Sequence, residues 1–390
     1  MKITGVTAMI LRSPMGAAFL SSQGRFAERN SLIVRVDTDE GVVGWGEGGQ
    51  YGPPEPVKAC IDAVLAPMLL GKDPRTPAVH WENGYSRIRD FGTKGPYVEA
   101  LSALDIAMWD IQGKAYGRPV SALLGGAFRD SIPAYGTGFY YDGENPTVLD
   151  EAAVKAECAR KAESGYSAVK MKIGLLSPAR DLRRIEVVRR ELGEDIGLLV
   201  DANHGYNFAA ARAIATAMAE FGVLWFEEPV IPEDKDSYRR LREVSPVPIA
   251  GGEAEYTRFG FHELITQGCV DIAQPDLCVA GGITEWIKIQ SIASAAGVSV
   301  VPHVWGSGIA VAAAVQVLAA TPANPFTANP LPILNEPVLE FDTTENPLRT
   351  DLLATPFTMR SGRIGVPQGP GLGIEVDETV LRRFTEGAGT

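Results

Sequence analysis

The spacing of apolar and polar residues changes character near residue 130. Before that point, residues 3–11, 31–37 and 41–46 alternate with period two, the signature of half-buried strands. Thr38, Asp39, Glu40 and Gly41 form a turn signal between the last two. Helical periodicity follows over 55–69 and 77–91, and most clearly over 97–116, where Leu101, Leu104, Met108 and Ile111 fall on one stripe. Strands followed by a run of helices predict an α+β unit over residues 1–128.

From residue 132 to 341 the pattern becomes strand, loop, helix, repeated. Strands are expected at 132–140, 168–174, 197–201, 224–227, 248–253, 270–276 and 298–303, with amphipathic helices such as 182–192, 209–221, 259–267 and 283–296 between them. That alternation predicts a parallel sheet and an α/β class. Seven strands and an irregular eighth near 329–340 suit a (β/α) barrel over residues 129–350; an open doubly wound sheet is the alternative. The tail, 351–390, is punctuated by Gly and Pro and is expected to pack back and complete the amino-terminal unit. The longest apolar run, 308–320, has the length of a buried core helix and falls short of a membrane span.

The ionisable residues at the ends of successive strands are Lys172, Asp201, Glu227, Glu253, Asp276 and His303. They are 29, 26, 26, 23 and 27 residues apart, each about one βα unit. In a parallel barrel all six share the carboxyl-terminal rim, where such folds build their active sites. Over 168–174, Val169, Met171 and Ile173 share one face and Lys170 and Lys172 the other, so both ammonium groups are expected to enter the barrel mouth. Taken singly, a pair of strand lysines is ordinarily a solvated edge, and an acid ending a strand ordinarily caps the next helix. Six reactive residues at one repeated position outweigh those readings together.

Asp201, Glu227 and Glu253 then neighbour one another on consecutive strands. Three carboxylates without cysteine offer hard oxygen ligands, which select Mg²⁺ or Mn²⁺ over zinc. The histidines number four and form no H-E-x-x-H, which argues against a zinc hydrolase. Asp276 is expected to orient His303 and raise its pKa, whereas Lys170 beside Lys172 is expected to lower that of Lys172. A metal flanked by a lysine and a His–Asp pair suits removal of a proton α to a carboxylate, with the metal steadying the charge that develops.

Charge narrows the partners. With 36 basic and 48 acidic side chains the net charge is −12, and no basic patch offsets it, so nucleic acid is not an expected partner. Nor is a membrane. Cys60, Cys158, Cys269 and Cys278 form no C-x-x-C and no disulfide framework, and the first residues lack a signal-peptide layout, so a cytoplasmic location is expected. Gly44-Trp45-Gly46-Glu47-Gly48-Gly49 matches a dinucleotide-binding pattern, but Gly52, Pro53 and Pro54 stand where a helix must start. This stretch is expected to be a flexible loop over the active site.

At these residues the sequence resembles the mandelate racemase branch of the enolase superfamily, over nearly the whole chain. The resemblance implies a modified TIM-type (β/α) barrel beneath an α+β capping domain. It implies Lys172 and His303 as acid/base groups, Lys170 and Asp276 beside them, and Asp201, Glu227 and Glu253 as Mg²⁺ ligands. Glu340 would hydrogen-bond the substrate carboxylate, although Glu336 is a second acid on that stretch, and Asn203 would lie at the substrate. Residues 201–206, 225–230, 274–278, 301–306 and 369–375 resemble the galactarolactone cycloisomerase subfamily. That likeness implies a homo-oligomer acting on an acid sugar or its lactone. Dehydration of an acid sugar, racemisation, and mere binding of a sugar acid are the alternatives. Substrate choice is expected to lie in cap loops near 15–26 and 47–56, in 254–259 and in 329–337, with Arg25 and Tyr51 as candidate substrate contacts.

Overall fold

In the computed structural model, which describes residues 1–49, 52–147, 149–328, 331 and 333–386, the amino-terminal alternation builds a longer hairpin than its pattern predicts. Ile3–Ser21 and Gly24–Thr38 pair antiparallel along most of their length, with Ser22 and Gln23 at the tip. The register slips between Pro14 and Phe19, where a residue without an N–H cannot sustain the ladder. The expected loop near 15–26 is therefore mostly strand. Its Gly16, Ala17 and Ala18 carry no period-two signal, so pairing with the partner strand decides the conformation.

Val43–Gly48 adds to one edge of the hairpin and Tyr141–Asp142 to the other. The expected flexible glycine loop is thus the edge strand of this sheet. A Cβ at Gly44, Gly46 or Gly48 would strike the backbone carbonyls of Ala107, Ala103 or Glu99, so alternate glycines let this strand lie against the helix Pro96–Tyr116. That helix begins with proline in its first turn and ends at Gly117 in the left-handed conformation, as its sequence dictates.

The second body is the barrel. Its strands are Ser131–Gly138, Ala168–Lys172, Gly197–Asp201, Val223–Glu227, Ile249–Gly251, Ile272–Ala273, Ser299–Val300 and Leu339–Asp342, each pairing parallel with at least one other of them. The first lies between the second and the eighth. Several of these strands stop short of their sequence bounds because the chain turns outward at the rim, where Gly174, Asn203, His204, Glu228 and Gly252 all take positive φ. Tyr135, Ala168, Leu199, Trp225, Ala250 and Val301 fill the interior below the rim. Val169, Met171 and Ile173 face the surrounding helices, as the alternation required.

The tail meets both bodies. Arg363–Gly365 pairs antiparallel with the first barrel strand, and the Leu372 N–H donates to Asp110 of the long cap helix. The helix Gly308–Ala320 is buried along almost its whole length, as its composition required. No described helix is long and apolar enough to cross a membrane.

Candidate active site

Register puts the reactive residues at one level. Lys172 pairs across to Asp201, and Asp201 to Glu227, on adjacent strands. Glu253 follows the fifth strand by two residues, and the three carboxylates bring ligand atoms within 4.8 Å of one another, all buried. Lys170 is fully buried beneath them; its Nζ lies 2.5 Å from Glu227 Oε1, 2.7 Å from Glu340 Oε1 and 3.6 Å from Asp201 Oδ2. Lys172 Nζ contacts Asp201 Oδ2 directly. On the far side of the triad, His303 Nδ1 is 2.7 Å from Asp276 Oδ2 and its Nε2 is 3.5 Å from Glu253 Oε2.

Glu340 stands inside the barrel, accepting from the Thr137 hydroxyl at 2.6 Å and from the Val304 N–H at 3.1 Å. Glu336 instead pairs with Arg363 and Arg129. The structure therefore brings Glu340 to the site and leaves Glu336 outside it.

The protonation pattern follows from this geometry. Burial, with neighbouring carboxylates, pushes Glu227 and Glu253 up to about 7. Asp201 is held below its usual range because Lys172 and Lys170 outweigh its burial. Glu340 is likewise lowered, to about 2, against its burial by Lys170 and His303. Burial alone would lower His303, but Glu253, Glu340 and Asp276 raise it to about 10. Lys172 departs from the expectation. Burial and Lys170 do push it down, yet Asp201, Tyr140 and Glu253 together outweigh them and the net direction is up. Alternation along one strand shows Lys170 beside Lys172 but not the acid facing it from the next.

The donor set fits a hard divalent cation such as Mg²⁺. Three carboxylates bring their oxygens together as one ligand group, and Glu253 Oε2 is a buried oxygen with no hydrogen-bond partner. Glu227 Oε2 is oriented by the Gln274 amide at 2.8 Å and the Trp225 indole N–H at 3.1 Å. Sequence reasoning missed Gln274, which directly follows the strand Ile272–Ala273 and precedes Asp276 by two residues.

Above the triad, Ser21, Gln23, Phe26, Tyr140, Lys172, Asn203, Glu253, His303 and Trp305 line a cavity. Three of these come from the hairpin, whose tip reaches the barrel: Ser22 Oγ donates toward the carbonyls of Ala202 and Asn203, at 2.6 and 2.8 Å. Asn203 lines the cavity with φ of 39°, while its own N–H donates to Asp201 Oδ1 at 2.8 Å. Arg25 is not among the lining residues. Its side chain is 50% exposed and pairs with Glu144 at 3.0 Å, because alternation on the strand turns it away from Phe26. Tyr51 lies outside the described residues. Tyr140 and Trp305 join the cavity without a sequence signal beyond their places just after the first barrel strand and His303.

Comparison with known proteins agrees with this architecture. Residues 5–125 match the mandelate racemase / muconate lactonizing enzyme N-terminal domain, and residues 153–380 match the enolase C-terminal domain-like family. The chain is 44% identical over 384 residues to the D-galactarolactone cycloisomerase of Agrobacterium fabrum, covering 98% of this chain and 99% of that one. It superposes on the 3,6-anhydro-D-galactonate cycloisomerase of Zobellia galactanivorans with a TM-score of 0.86 at 38% identity, over 98% and 99% of the two chains. A Streptomyces coelicolor racemase with bound magnesium gives a TM-score of 0.86 at 27% identity over the same shares. With a cap, a barrel and a rim of this composition, the chain belongs to the enolase superfamily, in its mandelate racemase / muconate lactonizing enzyme family.

Proposed function

We propose that this protein is a Mg²⁺-dependent lyase or isomerase that removes the proton α to a carboxylate of an acid sugar or its lactone, and that its reaction is a lactone cycloisomerisation. The observation that carries the reading is the flanking of one carboxylate triad by Lys172, at Asp201, and by the His303–Asp276 pair, at Glu253. Its likeness to two cycloisomerases supports the choice of reaction.

Asp201, Glu227 and Glu253 would hold the ion. When bound, Mg²⁺ supplies fixed positive charge that holds the substrate carboxylate and offsets the negative charge growing there as the α-proton leaves. Lys172 and His303 reach the cavity from its two sides, so one removes the proton and the other delivers one to the carbon or the departing oxygen. Asp276 fixes the imidazole with Nε2 toward the cavity. Glu340 would hydrogen-bond a substrate carboxylate only in its protonated form, and Ser21, Gln23, Asn203 and Tyr140 read the hydroxyls beyond it. We place the enzyme in the cytoplasm, where its buried, unpaired cysteines stay reduced, and expect a homo-oligomer.

The test is a screen of the purified protein with Mg²⁺ against aldonates, aldarates and their lactones. Isomerisation of a lactone without loss of water supports the reading. Dehydration of open-chain acids alone would replace cycloisomerase with dehydratase, and no turnover of any member would overturn the reading.

A further inference from the structure

The glycine-rich strand of the capping domain carries an acid that the site just described does not use. Alternation on Val43–Gly48 turns Gly44, Gly46 and Gly48 onto the cap helix, which points Glu47 the other way, into the barrel. There Glu47 is completely buried. Its Oε1 accepts the Ser31 hydroxyl at 2.5 Å and the Ser307 N–H at 2.9 Å; its Oε2 accepts the Ser307 hydroxyl at 2.6 Å and the Ala310 N–H at 3.0 Å. A cap-domain carboxylate therefore occupies the first turn of the barrel helix Gly308–Ala320, where the N–H groups have no helical acceptors.

That helix begins five residues after His303. The intervening turn is pinned at several other points: Val304 donates to Glu340, and Trp305 packs under the Arg29 guanidinium, 4.3 Å from its ring centre. Arg29 and Glu47 both come from the cap, so the cap grips the turn at Trp305 and at Ser307. We propose that Glu47 is a positioning residue for His303, holding the 303–307 turn in the register that aims the imidazole at the metal triad. The inference rests on the reading above for the chemistry His303 performs. Its structural part is independent of that reading.

The experiment compares the wild type with Glu47→Gln, loaded with Mg²⁺. An amide has one acceptor oxygen, so it sets an NH₂ group against donors that now meet a carboxylate. Amide hydrogen exchange of residues 304–310 should speed up about tenfold or more, while exchange in Ala168–Lys172 stays at the wild-type rate. On a substrate the wild type turns over, kcat should fall about 10- to 100-fold, with KM and Mg²⁺ affinity within about twofold. If Glu47→Gln does not fold, Ser31→Ala removes one of the four bonds while leaving the Ser307 cap on Ile309 in place, and should shift both readouts the same way by about threefold. Unchanged exchange, or an increase spread evenly over cap and barrel, would overturn the proposal, as would local loosening with undiminished kcat. If the wild type turns over no acid sugar, the proposed reaction fails, and the exchange pattern alone decides the role of Glu47.

Discussion

His303 Nδ1 lies 2.7 Å from Asp276 Oδ2, which leaves Nε2 toward Glu253 and the cavity. An acceptor on Nδ1 demands that this nitrogen carry a proton, so the ring's chemistry is confined to Nε2. Asp276→Asn can offer its NH₂ to the ring and reverse that choice. It should lower kcat by about 10²-fold or more with little change in KM or in Mg²⁺ affinity. Steady-state kinetics and calorimetry check this; a variant with wild-type kcat would remove the pair from the mechanism.

Metal binding and stability should separate at the triad. Asp201, Glu227 and Glu253 are buried together, with Lys170, Lys172 and the raised His303 as the cations against them. Glu227→Gln or Glu253→Gln removes one of the crowded charges, so each metal-free variant should unfold at or above the wild-type Tm while losing Mg²⁺ binding and turnover. EDTA should inactivate the wild type and Mg²⁺ restore it. Full turnover after exhaustive chelation would contradict the assignment.

Specificity should follow the cavity wall rather than Arg25. Arg25 is half-exposed and paired with Glu144, whereas Gln23 and Tyr140 line the cavity. Arg25→Ala should change kcat/KM by no more than about twofold, equally for mono- and dicarboxylic substrates. Gln23→Ala or Tyr140→Phe should lower it about tenfold, by stranding a substrate hydroxyl. An Arg25 effect confined to dicarboxylic substrates would bring Arg25 back to the site.

Asp105 ties the cap to the barrel through a titration. Fully buried, it accepts the Thr284 N–H at 2.9 Å and the Thr284 hydroxyl at 2.5 Å. Burial outweighs those bonds and pushes its carboxyl from 3.8 up to about 7. Between those two values the folded protein holds a proton that the unfolded chain has released. Its contribution to stability therefore declines as pH rises through that window and is level above it. Asp105→Asn abolishes the titration, so wild-type stability relative to the variant should drop by about 2–4 kcal/mol from pH 4 to 8. Denaturant unfolding at both pH values measures it; a difference independent of pH would contradict the account.

Much of the site was legible because a βα unit has a nearly fixed length. Lys172, Asp201, Glu227, Glu253, Asp276 and His303 recur at that interval, and the barrel brings them to one rim. Period-two alternation correctly sent Lys170 and Lys172 inward. What the pattern hides is long-range pairing. The acid facing Lys172 comes from the neighbouring strand and, with Tyr140 and Glu253, reverses its expected pKa direction. Glu47 finds its barrel partners 260 and 263 positions along the chain, and nothing near it in sequence marks them. The glycines around it look like a loop because strand-on-helix contact and loop freedom both select glycine.

The account stands most directly on proton exchange at the substrate's α-carbon in deuterated water. With Mg²⁺ and a lactone or acid sugar that it turns over, the wild type should place solvent deuterium at that carbon in recovered substrate. Lys172→Ala and His303→Asn should each abolish turnover, and one of them should retain exchange, which identifies the base that removes the proton. Turnover by both variants at near wild-type rates would contradict the assignment of Lys172 and His303 as the acid/base pair.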